Sequence, residues 1–436
     1  MKKSVLSKIL AFFLLVGFFY LKPGQALAYY GEKYEPADGR IYHGMGQYVT
    51  YFYSEQENWQ YLTEYQQATG KVPLLYEAYY SINPKLDQVP FNSLNLNPNL
   101  SRLVQIGGNC QLVNHNCPYI ILLGIGYLDF EESDLLSGGF NFANSKANPE
   151  AILRGDWDGK IRQLAREIKQ IGSPFLLRPG WEFGVGSDGV HQQANLTPAV
   201  FIACWRQIQD IFTQEQVNNV AWVWSLVNPN QFDYLSYYPG DERVDWWAIN
   251  YFTTDQINNG DSFLQAARNH RKPVLIGESC PIHNGGTENS SNWNSWFLPY
   301  FEKIKANSHI KAFIYISNPW NKSNFWGDWA DSRININPTI RGNYATEMAN
   351  SHYVHMNEYL TNPNIIYGDS LPIPPPTLTG DLNSDNVVNI LDLVIVGSNF
   401  GKDYNNANTD KRADASGDKV IDIVDLVIVG SNFGKV

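Results

Sequence analysis

Eight continuous apolar runs, separated by longer stretches of helical period, constrain this chain more than any other feature. They are IYHGMGQ (41–47), PLLYEAYY (73–80), YIILLGIGY (119–127), PFLLRPGWEF (174–183), NVAWVWSL (219–226), VDWWAINYF (244–252), PVLIGESC (273–280) and KAFIYISNPW (311–320). A strand that is apolar at nearly every position is buried on both faces, as in a parallel sheet covered by helices. Stretches such as AILRGDWDGKIRQLAREIKQI before the fourth run and NWNSWFLPYFEKIKAN before the eighth supply that cover. Eight such units in roughly 320 residues predict an α/β fold, a (β/α)8 TIM barrel, over residues 29–368. A doubly wound open sheet is the alternative. No Gly-rich dinucleotide fingerprint follows the first run, which counts against it.

The segment before the barrel reads as a signal peptide, residues 1–28. Lys2 and Lys3 start it, Ile9 to Leu21 are apolar, and Ala26-Leu27-Ala28 offers a small-x-small cleavage site. An uncleaved anchor is the alternative, but the apolar run is short for a bilayer and no second span follows. The expectation is a secreted, extracellular protein with no membrane span after cleavage. Export permits disulfides. Cys110 and Cys117, close together in GGNCQLVNHNC, are the candidate pair, and Cys204 and Cys280 read as buried thiols. A net charge of −11 without a Lys/Arg stripe argues against nucleic acid as a partner.

Beyond a Pro-rich linker (369–379, within LPIPPPTLTG and its flank) the chain repeats itself. DLVIVGSNFGK occurs at 392–402 and again at 425–435, each copy following an acidic loop, DLNSDNVVNILD from Asp381 and DASGDKVIDIVD from Asp414. Counted from its first Asp, each loop places oxygen donors at positions 1, 3, 5, 9 and 12. These are Asp381, Asn383, Asp385, Asn389 and Asp392, then Asp414, Ser416, Asp418, Asp422 and Asp425. Val387 and Val420 at position 7 would contribute backbone carbonyls. Calcium takes six to eight oxygens, and this spacing wraps a chain around one ion, giving two expected Ca2+ sites. Asn386 and Lys419 replace the usual glycine at position 6, and lysine suits that backbone less well. The duplication, the Asp at position 12 and the following apolar segment resemble a dockerin, over residues 380–436. The resemblance implies a small all-α calcium-binding module that docks onto a cohesin domain. Where many such modules carry a Ser/Thr pair, this chain has Ile390-Leu391 and Ile423-Val424, so a different cohesin class, or packing on this protein itself, stays open.

Barrel enzymes work where strands end at the carboxyl face. Glu182 closes the fourth run and Glu278 the seventh. Glycosidic hydrolysis needs one carboxylic acid to protonate the leaving oxygen and one carboxylate to attack the anomeric carbon. The placement resembles the clan of retaining (β/α)8 glycoside hydrolases, and RPGWEFG, YYPGDERVDWWAINYF and PVLIGESCP are similar to glycoside hydrolase family 26. By that resemblance Glu182 is the acid/base, Glu278 the nucleophile, Tyr251 a neighbour of the nucleophile and Trp320 a floor for the sugar. Trp181 stands where the family usually has the histidine that helps bind sugar. By period two, Arg178, Gly180 and Glu182 share a strand face, so Arg178 could hold Glu278 ionised; a structural ion pair lower in the barrel is the alternative. His43 and Trp224 are cleft-lining or core. The expected function is a retaining endo-glycosidase on a β-linked polysaccharide, mannan-type first, needing no metal for catalysis. A β-1,3-xylanase or β-glucanase on the same barrel, or a barrel that binds carbohydrate without cutting it, are the alternatives.

Overall fold

The computed structural model describes residues 30–37, 39–46, 55–84, 119–129, 146–183, 196–227, 232–322, 327–361, 379–382, 388–404, 406, 409–416 and 418–435. The leader, Cys110, Cys117, most of the linker and Asn383, Asp385, Asn386 and Val387 lie outside the described residues.

The apolar runs form eight parallel strands. They are β1 (Ile41–Gly46), β2 (Leu75–Ser81), β3 (Ile120–Gly126), β4 (Phe175–Pro179), β5 (Val220–Leu226), β6 (Trp246–Tyr251), β7 (Val274–Ser279) and β8 (Ile310–Ile316). Each pairs with the next, and β8 pairs back onto β1 from Tyr42–Ala312 to Gly46–Ile316, so the sheet closes into a barrel. A two-residue strand, β9 (Tyr353–Val354), pairs with the start of β1.

Helices α1 (Glu55–Thr69), α2 (Asp158–Ile171), α3 (Pro198–Gln214), α4 (Asp261–Asn269), α5 (Leu298–Ala306) and α6 (Pro338–Met348) accompany the strands. Their buried side chains join the strand residues in one hydrophobic core. Burial of Ile161, Leu164, Ala165 and Ile168 shows the i, i+3, i+4, i+7 stripe that predicts α2 from sequence. The single helix expected before β4 is divided, a short helix Pro149–Leu153 preceding α2, with Gly155 at φ +82° between them. Before β8 a π-helical turn, Trp293–Phe297, runs into α5, where Pro299 lacks the N–H a regular turn would use.

Two local departures from ideal strands shape the barrel mouth. β4 stops at Pro179, and the chain turns through Gly180 (φ +58°) into Glu182, itself left-handed at φ +55°. A Cβ at Gly180 would lie 2.9 Å from Tyr127, so only glycine fits there. On β7 the register slips between Ile249–Ile276 and Tyr251–Ser279, one extra residue on β7 against β6. Such a bulge re-aims side chains; here both Gly277 and Glu278 adjoin the Arg178 guanidinium.

The tail has its own small core of Val388, Val396, Ala413, Ile421 and Val429. Each acidic loop leads into a helix, α7 (Ile390–Asn399) and α8 (Ile423–Asn432), begun by a capping box, Asn389 with Asp392 and Asp422 with Asp425. The repeats exchange ends: Gly434 and Lys435 bond the backbone of Val388 in the first loop (2.7 and 3.0 Å), while Gly401 donates to Ile421 in the second (2.9 Å). Lys419 adopts φ +67°, the turn that position 6 requires. A 3-10 turn, Lys411–Ala413, precedes the second loop. No group of three His, Cys, Asp or Glu side chains gathers as a metal site among the described residues.

Candidate active site

Four of the buried strands carry a charged or amide side chain in a largely apolar stretch: Glu77 on β2, Arg178 on β4, Asn250 on β6 and Glu278 on β7. They meet. Arg178 Nη2 donates to Glu278 Oε1 at 2.9 Å and also to Glu77 Oε1. Arg178 and Glu77 are fully buried and Glu278 is 4% exposed. The Arg178 guanidinium lies 5.4 Å from the centre of the Tyr79 ring. Asn250 Nδ2 donates to Glu182 Oε1 at 2.7 Å, while the Glu182 backbone N–H donates to the Ser225 carbonyl at 3.1 Å. The left-handed conformation of Glu182 costs on the order of 1–3 kcal/mol, and these two bonds hold it in place.

Charge organises the cluster. Burial alone would lower the Arg178 pKa, but the carboxylates of Glu77 and Glu278 outweigh it, so the guanidinium stays protonated. Burial pushes the Glu77 carboxyl well above the usual range, with the charge of Glu278 adding to the rise and Arg178 opposing it. The Tyr79 hydroxyl is likewise raised, first by burial and then by Glu278 and Glu77, and so remains a donor. Glu182 acts on the same groups.

Trp181 is half-buried beside this cluster. Its ring lies 5.2 Å from that of Tyr79 and covers Gly124 and Gly126, where a Cβ would come within 3.1 Å of the indole. Trp320 follows β8 but is buried, 1% exposed, with its ring 5.3 Å from Trp329.

Tyr251, set beside the nucleophile by the resemblance, and His43 and Trp224, read as cleft-lining or core, are all buried among packed side chains. The Tyr251 side chain points at the start of α4: a Cβ on Gly260 would be 2.2 Å from its hydroxyl, and Asp261 is the charge it senses. Asn250, the residue before it on β6, is the one that bonds Glu182. His43 bonds Tyr65 of α1 (2.6 Å) and His355 (3.0 Å), within the helical layer. Trp224 packs on Phe183, Tyr238 and Trp247, in the aromatic core outside the barrel. Period two on Arg178, Gly180 and Glu182 also fails, because β4 ends at Pro179; the turn at Gly180 brings Glu182 to Asn250 instead. Glu77, Tyr79 and Asn250 were not expected. For Glu77 and Asn250 the signal was a polar residue in a buried run, which costs free energy unless it is paired; Tyr79, one of three tyrosines in its run, gave none. Cys204 and Cys280 are buried free thiols.

With this geometry in view, the comparisons with known proteins become specific. Residues 143–329, which hold Arg178, Glu182, Asn250 and Glu278, match the model of glycosyl hydrolase family 26. A β-1,3-xylanase of Alcaligenes sp. is 26% identical over 235 residues, 47% of this chain and 49% of the relative. A mannan endo-1,4-β-mannosidase of Caldalkalibacillus mannanilyticus is 28% identical over 186 residues, 40% of this chain and 34% of the relative. The chain thus spans about half the length of the first relative and about a third of the second. A modular endo-β-1,4-mannanase of Cellulomonas fimi superposes with a TM-score of 0.54 at 12% identity, covering 80% of this chain and 81% of that one, a likeness of fold.

Proposed function

We propose that this chain is a retaining glycoside hydrolase acting within a β-linked polysaccharide. One observation carries the reading: two glutamates, Glu182 after β4 and Glu278 on β7, are each held by a buried polar partner, in the segment that matches the glycosyl hydrolase family 26 model. Glu278 attacks the anomeric carbon, its carboxyl held in place by the bond from Arg178. Glu182 protonates the departing oxygen and then takes a proton from the water that releases the glycosyl-enzyme. Mannan is the first substrate to test. A β-1,3-xylan is the second reading, favoured by the likeness to a β-1,3-xylanase and by an indole, not an imidazole, at position 181. An indole offers one N–H donor and no acceptor, so it suits stacking on a sugar better than bonding its hydroxyls.

A panel of mannan, β-1,3-xylan and mixed-linkage β-glucan, assayed with wild type, Glu182→Ala and Glu278→Ala, decides among these. We expect one glycan to be cut, with Glu278→Ala lowering kcat about 10⁴-fold while leaving the fold intact. Binding without cleavage by wild type would leave a carbohydrate-binding barrel. Undiminished cleavage by Glu278→Ala would remove it as nucleophile.

For the tail we propose a dockerin-like role with two bound calcium ions, on an exported protein. The described donors of the second loop, Asp414, Ser416, Asp418, Asp422 and Asp425, are all hard oxygens, and the left-handed Lys419 bends the loop around them. The recognition positions Ile390, Leu391, Ile423 and Val424 are exposed, suiting an apolar cohesin-type face.

A further inference from the structure

Glu77 and Glu278 bond the same nitrogen of one guanidinium. One buried positive charge cannot balance two adjacent buried carboxylates, with the Glu182 carboxyl also acting on it. A carboxylate pair in this position shares a proton, and the more deeply buried member holds it. Glu77 is that member, fully buried where Glu278 keeps 4% exposure. Its two oxygens are also unequal. Oε1 accepts from Arg178, whereas Oε2 makes no hydrogen bond of good geometry among the described residues, although the Tyr79 hydroxyl faces the carboxyl and favours its anion. An anionic oxygen buried without a well-placed donor is more costly than a neutral hydroxyl in the same place. Gly46 leaves the room: a Cβ there would stand 2.5 Å from Oε2.

We infer that Glu77 rests as the neutral carboxylic acid, a positioning residue that braces Arg178 from one side and leaves its charge undivided for Glu278. The inference rests on the reading of Glu278 as nucleophile. The groups facing the pair are Arg178 from β4, Glu182 from the turn after it, Tyr79 from β2 and Glu278 from β7. None but Arg178 is a cation. The upward displacement of the Glu77 carboxyl by burial agrees with the geometry.

The first test needs no substrate. The infrared difference between wild type and Glu77→Gln at neutral pH is expected to show the loss of a protonated-carboxyl stretch; loss of carboxylate bands would overturn the inference. Failure of Glu77→Gln to fold would overturn it too, because the amide reproduces the shape and acceptor of the neutral acid. The second test uses whichever glycan the panel identifies. Glu77→Met, which cannot accept from Arg178, should lower kcat about tenfold or more with little change in KM, and Glu77→Gln should recover most of that loss. Equal damage in both variants would count against a neutral acceptor. The acid limb of kcat/KM in Glu77→Gln should stay at its wild-type position, since a shift to lower pH would mean that a charge had been removed from beside Glu278. A wild type inactive on every glycan would sink the proposed function, and the infrared result would still decide the state of Glu77.

Discussion

Arg178 is the residue on which the site turns. It is fully buried, with Glu278 and Glu182 favouring its charged form and Glu77 accepting its hydrogen bond. Removing one partner of a buried ion pair costs about 3–5 kcal/mol, because the remaining charge stays in low dielectric. Arg178→Met should therefore lose stability of that size in urea unfolding, and activity with it. Arg178→Lys should fall between, since a compact ammonium is a poorer match for two carboxyls than a planar guanidinium. The proposed catalytic pair and Arg178 stood out in the sequence because charge in an apolar run is conspicuous. Glu77 and Asn250 carried the same signal, but neither stands at the end of its run, where barrel chemistry is expected. For Tyr251, His43 and Trp224 the sequence left site and core both open, for a different reason. A strand buried on both faces is apolar on both, so sequence does not say which residues look into the barrel and which look toward the helices.

Among elements, β1, α1, α6 and the segment after β9 are joined by a chain of buried hydrogen bonds. His355 Nε2 lies 2.8 Å from the Met348 carbonyl, so it must carry the proton there, and neutral His355 Nδ1 must accept. His43 Nδ1 then donates across 3.0 Å, His43 Nε2 accepts from the Tyr65 hydroxyl at 2.6 Å, and Tyr65 accepts from Tyr344 at 2.9 Å. One carbonyl thereby orders every proton in the chain. Burial lowers both imidazoles, His355 to about 4 and His43 well below its ordinary value, the latter with help from His355. A depressed histidine stabilises the fold fully above its unfolded pKa, about 6.5, and that contribution is lost as pH falls toward the folded value. Unfolding free energy should therefore decline between about pH 6.5 and 4, by up to about 1.4 kcal/mol per pH unit for each histidine. Measured against pH, His355→Gln should flatten this decline; an unchanged slope would show that other groups cause it. The eight strands themselves were readable because each run is continuous and has the right length. The early stop of β4 and the bulge in β7 were not, since both arise from pairing register and local crowding, which no single run encodes.

At the scale of the molecule, barrel and tail have separate hydrophobic cores. If the tail folds around calcium as proposed, chelation with EGTA should lower only one of two calorimetric transitions and leave polysaccharide cleavage unchanged. A shift in both would mean that the ion supports the barrel as well. Asp392 and Asp425, each fully buried, are the residues whose replacement by Ala should mimic the chelator. The exchanged ends of the two repeats also set an order of events in biosynthesis. Because Gly434 and Lys435 close the backbone of Val388 in the first loop, a ribosome that has finished the first repeat has not yet supplied what that repeat needs. The barrel can mature on the emerging chain, whereas the tail must wait for its second copy and then assemble in a single step.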